Sequence, residues 1–140
     1  MKNEKMPISM IMTKNPITAN LSDSLLHVST LMKKHKIRHL PVLSGEKLVG
    51  IVSKTDILRL SFGDMFDAQS TLDETVFNML KLKQVMIHNP TTVQEEDSIL
   101  EVAEKFAEAE YHAIPVLDGE KITGIVSTTD LINYLLEHYH

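Results

Sequence analysis

Helical and extended spacings of apolar residues alternate along this 140-residue chain. Leu25, Val28, Leu31, Met32 and His35 recur at three- and four-residue steps, which predicts a helix with one apolar face. Ser22 or Asp23 stands ahead of them as an N-cap, offering oxygen acceptors to the unpaired N–H groups of a first turn. Residues 37–43 then read as a strand, Ser44-Gly45-Glu46 as a hairpin turn, and residues 48–53 as an apolar return strand. A second helix opens at Ser53 or Thr55 and runs to about Ser61. Upstream, residues 16–19 form a short extended segment, because proline biases its predecessor away from helix. The order is β-α-β-β-α.

The whole plan occurs twice. Met12-Thr13-Lys14-Asn15-Pro16-Ile17-Thr18 returns 74 residues later as Met86-Ile87-His88-Asn89-Pro90-Thr91-Thr92. The same offset carries Pro41-Val42-Leu43-Ser44-Gly45-Glu46-Lys47 onto Pro115-Val116-Leu117-Asp118-Gly119-Glu120-Lys121. It also carries Gly50-Ile51-Val52-Ser53-Lys54-Thr55-Asp56 onto Gly124-Ile125-Val126-Ser127-Thr128-Thr129-Asp130. One ungapped register through three blocks marks an internal repeat. In the second copy Asp97 precedes a helix with Ile99, Val102, Ala103 and Phe106 on one face, and the last helix runs from Thr128 towards His138. The copies are placed at residues 1–62 and 81–140, around an insert at 63–80. Ser70-Thr71-Leu72-Asp73-Glu74 offers that insert a capping box ahead of Val76, Phe77, Met79 and Leu80, so a short helix is expected there. Its apolar residues, with Phe62, Met65 and Phe66, either cover the core or meet a partner. A copy of roughly 60 residues is marginal alone, and two copies sharing apolar faces relieve that.

Composition narrows the chemistry. Lys and Arg number 14 against 19 Asp and Glu, a net charge of −5. That argues against nucleic-acid binding by phosphate neutralisation. With no cysteine, disulfides, thiolate metal sites and a Cys nucleophile are excluded. No apolar run reaches the roughly 18–20 residues of a membrane span. The first dozen residues carry Lys2, Glu4 and Lys5 without a signal-peptide core, so a cytoplasmic protein is expected. The seven histidines are scattered, and a strand begins between His35 and His39, so no metal site is expected. The eight methionines sit mostly at core spacing. No Ser-His-Asp constellation separates from the repeats, and a catalytic role is not expected.

The junction from return strand to second helix holds the candidate chemistry. Ser53-X-X-Asp56 and Ser127-X-X-Asp130 open a helix, whose first N–H groups and partial positive charge suit a phosphate. Ser53 and Thr55, like Ser127 and Thr129, add hydroxyl donors. Asp56 and Asp130 would repel a phosphate but accept from the vicinal hydroxyls of a ribose. The same spacing is also a capping box, which needs no ligand.

The repeated blocks, in this order and twice, resemble the cystathionine-β-synthase (CBS) domain family, as a tandem pair or Bateman module. The resemblance implies an α/β (α+β) fold of two pseudo-symmetric β-α-β-β-α repeats with two clefts between them. It implies adenosine-nucleotide binding there and regulation of a partner. By analogy, Ser53, Thr55, Asp56, Ser127, Thr129 and Asp130 contact phosphate and ribose. The family's phosphate-binding positions fall on Arg38 and His39, and in the second copy on His112 and Ala113. The adenine side falls on Ile8 with Ile17 and Ala19, and on Leu82 with Thr91 and Val93. The chain departs from many relatives at Pro7 and Lys81, where those carry threonine.

The expected function is therefore a non-enzymatic regulatory module, needing no cofactor. Its ligand would be AMP, ADP or ATP, with NAD or S-adenosylmethionine behind them, and it would signal to an unidentified regulated protein. The alternative is a structural or dimerisation module with empty or degenerate clefts. A homodimer is expected, because Leu131, Ile132, Tyr134, Leu135 and Leu136 make the last helix apolar around much of its circumference. The first copy should bind phosphates more tightly. It carries Lys33, Lys34, His35, Lys36, Arg38 and His39, where the second has Ala107, Glu108, Ala109, Glu110, His112 and Ala113.

Overall fold

The structure, a computed structural model, describes residues 6–64 and 81–139. The helix expected in the insert, and Met65 and Phe66, lie outside the described residues. The elements are β1 (Thr13–Lys14), β2 (Ala19–Asn20), α1 (Leu25–His35), β3 (His39–Ser44), β4 (Lys47–Ser53) and α2 (Lys54–Asp64). They continue as α3 (Leu82–Val85), β5 (Ile87–His88), β6 (Val93–Gln94), α4 (Ile99–Glu108), β7 (Ala113–Asp118), β8 (Lys121–Ser127) and α5 (Thr128–His138). A 3-10 turn at Ile8–Met10 precedes them.

Helix starts obey side-chain capping, a residue or two later than the spacing suggested. Ser24 Oγ accepts from the His27 N–H at 3.0 Å, and Ser98 Oγ from the Glu101 N–H at 3.0 Å. Asp23 and Asp97 do a different job. Their carboxylates accept from the Asn20 and Gln94 N–H groups at 2.8 and 2.9 Å and close the turn between short strand and helix. Each hairpin turns through a glycine at positive φ, 64° at Gly45 and 66° at Gly119, a conformation that costs other residues a steric penalty.

The chain divides into two compact units that do not follow the sequence copies. The first unit is Ile17–Asn89, and the second combines the chain up to Pro16 with everything from Pro90. In the first unit the sheet order is β2-β3-β4-β5, with β2 parallel to β3 and the other pairs antiparallel. In the second it is β1-β8-β7-β6, again with one parallel pair, β6 with β7. Each copy's opening strand thus pairs with the return strand of the other copy. Thr13 lies opposite Ile125, and Ile87 opposite Ile51.

The physical reason is edge and core together. Each return strand would otherwise present an unpaired edge. The residues before the opening strand also bring apolar mass. Ile8 and Met12 enter a core with Val93, Val102, Ile114 and Val126, while Leu82 and Met86 enter one with Ala19, Val28, Leu40 and Val52. The close approach needs glycine on the return strand. A Cβ on Gly124 would land on Met12 Sδ, and one on Gly50 would meet Met86 Sδ and come within 2.9 Å of Ile87 O. Among the described residues no helix is long and apolar enough to cross a membrane.

Candidate nucleotide site

In the first unit the end of the β3–β4 hairpin and the start of α2 gather most of the residues singled out from the sequence. Ser53 closes β4 and lies opposite His39 in the ladder. The Lys54 N–H donates to Arg38 O at 2.7 Å, which fixes the strand end beside the first turn of α2. The Asp56 N–H donates to Ser53 Oγ at 3.0 Å. Thr55 and Arg38 are exposed, and His39 is half-buried. Hydroxyl, helix N-terminus, cation and carboxylate therefore share one end of one unit.

The second unit repeats this geometry with different chemistry. The Thr128 N–H donates to His112 O at 3.1 Å, Ala113 lies opposite Ser127, and His112 and Thr129 are exposed. Here the cap is reciprocal. The Asp130 N–H donates to Ser127 Oγ at 3.1 Å, and the Ser127 N–H returns to Asp130 Oδ2 at 2.9 Å. Among the described residues Asp56 makes no such return bond. Its carboxylate lies 3.8 Å from the Arg59 guanidinium instead. Arg59 was not among the residues read from the sequence, although its position three beyond Asp56 on a helix is a spacing that pairs side chains. Its counterpart in the second copy is Asn133. The first junction thus carries two arginines and a less committed carboxylate, and the second neither.

The residues assigned to the adenine side are placed otherwise than the analogy grouped them. Ile8 shares a core with Val93 rather than with Ala19, and Leu82 shares one with Ala19 rather than with Val93. The exchange of opening strands is the cause. Both side chains are wholly buried and act as packing groups. Ile17 is half-buried against its core. Thr91 is half-buried, and its hydroxyl hydrogen-bonds the Tyr111 phenol. At the matching positions the first copy has Ile17 and Ile37, both apolar and both packed on the core. Among the described residues no three His, Asp or Glu side chains gather as a metal site.

A protein built from two such repeats, each with this strand-to-helix junction, is a tandem-repeat module of the CBS type. The family model for the CBS domain matches residues 8–63 and again 82–137, and the chain belongs to that family. MJ1225 of Methanocaldococcus jannaschii is 29% identical over 124 residues, spanning 87% of this chain and 44% of that protein. Its crystal structure matches with a TM-score of 0.80 at 27% identity, covering 95% of this chain and 49% of that one. The L-aspartate semialdehyde sulfurtransferase of the same organism is 30% identical over 135 residues, 93% of this chain and 24% of the enzyme. This chain therefore spans less than half the length of these curated relatives. The CBS domain pair of MJ0100, solved with 5′-methylthioadenosine and S-adenosylmethionine, matches with a TM-score of 0.77 at 27% identity. That match covers 96% of this chain and 98% of the solved one. The fold is thus a mixed α+β CBS domain pair.

Proposed function

We propose that the chain is a non-catalytic sensor of adenosine nucleotides, AMP, ADP or ATP, that passes occupancy to a partner protein. The observation that carries this reading is the first junction. Ser53, Thr55, the α2 N-terminus and Arg38 offer donors to a phosphate, and the Asp56 carboxylate is left for ribose hydroxyls. The adenosine-bearing ligands of the MJ0100 pair support the ligand class. The second junction favours a second reading of itself, a structural cap, because Asp130 is already engaged by the Ser127 N–H. The nucleotide arm therefore rests on Ser53, Thr55 and Asp56, with Arg38, His39 and Ile17 around them; Ser127, Thr129, Asp130, His112 and Thr91 form the weaker arm.

We also assign a symmetric dimer to α5. Tyr134 is buried and Leu131 packs on the core, whereas Ile132, Leu135 and Leu136 stay exposed, Leu136 at 63%. A helix apolar beyond its core-facing stripe calls for a second surface. The test of the nucleotide reading is a thermal-shift panel of AMP, ADP, ATP, NAD and S-adenosylmethionine. A ligand that binds only the native state raises stability as RT ln(1 + [L]/Kd). The expected result is an upward shift with AMP, ADP or ATP. No shift with any compound at millimolar concentration leaves the structural-module reading.

A further inference from the structure

We propose that the second unit holds a site for a small zwitterion of the α-amino-acid class, built from residues that the nucleotide reading does not use. A pocket of about 400 Å³ there is lined by Ser9, Met12, Lys14, Asn15, Glu95 and Thr123. The internal repeat provides its control, because the first unit has the same backbone at the matching place. The Asn15 N–H donates to Thr123 O at 3.2 Å, as the Asn89 N–H does to Val49 O at 3.2 Å. The Glu95 N–H donates to Leu117 O at 2.9 Å, as the Leu21 N–H does to Leu43 O at 2.7 Å.

The side chains differ at four matching positions, at two of them in polarity. Where the second unit has Glu95 and Thr123, the first has Leu21 and Val49, half-buried and packed on its core. Where the second has Ser9 and Lys14, the first has Lys83 and His88, and the His88 ring lies back on Lys83 O at 2.8 Å. Two apolar groups in one unit are thus a carboxylate and a hydroxyl in the other, while both units carry polar groups at the remaining two positions. The Thr123 hydroxyl is buried with no hydrogen-bond partner among the described residues. A buried unpaired hydroxyl is destabilising, so its retention asks for a compensating acceptor. Threonine has few χ1 wells, and a change of rotamer is the step by which its hydroxyl would reach a ligand in the pocket.

The charges select the ligand class. Lys14 supplies an ammonium group and Glu95 a carboxylate, yet among the described residues they form no ion pair with each other. A phosphate or other plain anion would meet the Glu95 carboxylate, and a plain cation would meet Lys14. A molecule with an ammonium and a carboxylate a few ångströms apart answers both. Its carboxylate would lie towards Lys14, Asn15 and the Thr123 hydroxyl, its ammonium towards Glu95, and its side chain over the buried Met12.

The test is a titration of the ¹⁵N-labelled chain with L-alanine, L-serine and L-methionine, followed through backbone amide shifts. N-acetyl-L-alanine and L-alaninamide, each lacking one charge, are the controls. Saturable shifts are expected at Ser9, Asn15, Glu95 and Thr123 with at least one amino acid, and affinity about tenfold weaker with either control. Glu95→Leu with Thr123→Val copies what the first unit carries at the same backbone, so the variant should fold, and it should abolish the shifts. Absence of shifts with all three amino acids, equal response to the controls, or shifts that survive in the double variant would each overturn the proposal.

Discussion

Replacing Asp56 and Asp130 one at a time by alanine separates ligand chemistry from capping. The two residues occupy equivalent positions, yet their carboxylates are committed differently. Asp130→Ala removes the acceptor that holds the Ser127 N–H at 2.9 Å and a first-turn carboxylate from α5. Losing such a cap costs about 0.5–2 kcal/mol, and the lost interaction with the helix dipole falls within that range. At this chain length about 1 kcal/mol corresponds to a Tm lower by roughly 2–5 °C. Asp56→Ala removes the contact with Arg59 at 3.8 Å, where the arginine is 76% exposed, and a first-turn carboxylate from α2, but no return bond to the Ser53 N–H. The exposed pair contributes at most about 0.5 kcal/mol after solvent screening, and the dipole interaction is lost in both variants, so Tm should fall less than for Asp130→Ala, which also loses the return bond. Binding should show the opposite order. Asp56→Ala deletes the ribose acceptor and should weaken AMP by about 1.5–3 kcal/mol, roughly 10- to 150-fold. Asp130→Ala should leave the tighter AMP site unchanged. Differential scanning calorimetry reads the first pair of effects and isothermal titration the second. If Asp56→Ala is the less stable variant, or binds AMP as the parent does, the division of roles between the two carboxylates is wrong.

Three further outcomes follow from the same geometry. Arg38→Ala should reduce ATP affinity more than His112→Ala, and the parent's tighter site should lose affinity as salt rises, both by titration calorimetry; equal losses would refute the unequal sites. Gly124→Ala should destabilise by about 1–3 kcal/mol in urea unfolding, because its Cβ lands on Met12 Sδ; an unchanged midpoint would mean that the packing of the opening segment yields freely. Leu135→Glu with Leu136→Glu should convert a dimer to a monomer in light scattering while keeping the circular dichroism spectrum, and a parent that is already monomeric would end the assignment of α5 as an interface.

The spacing of residues determined what is local. Three- and four-residue steps placed α1 and α4, the Gly45 and Gly119 turns placed the hairpins, and the 74-residue register matched the two junctions to each other. These features depend on neighbours within a turn or a hairpin, and the family resemblance rests on them. Caps slipped by a residue or two because Ser and Asp compete for the same N–H groups over a few positions. Asp23 and Asp97 found closer donors in Asn20 and Gln94. Tertiary structure decided which sheet each opening strand joins. The segments Met12-Thr13-Lys14-Asn15-Pro16 and Met86-Ile87-His88-Asn89-Pro90 are near copies, and Gly50 and Gly124 give both return strands the same gap. Either segment fits either edge by local chemistry, and only the folded core assigns Ile8 to Val93 and Leu82 to Ala19. The Ser-X-X-Asp spacing likewise specified two equal caps, while the folded chain turns the Asp130 carboxylate back onto the Ser127 N–H and sets the Asp56 carboxylate beside the exposed Arg59, where the second copy has only Asn133.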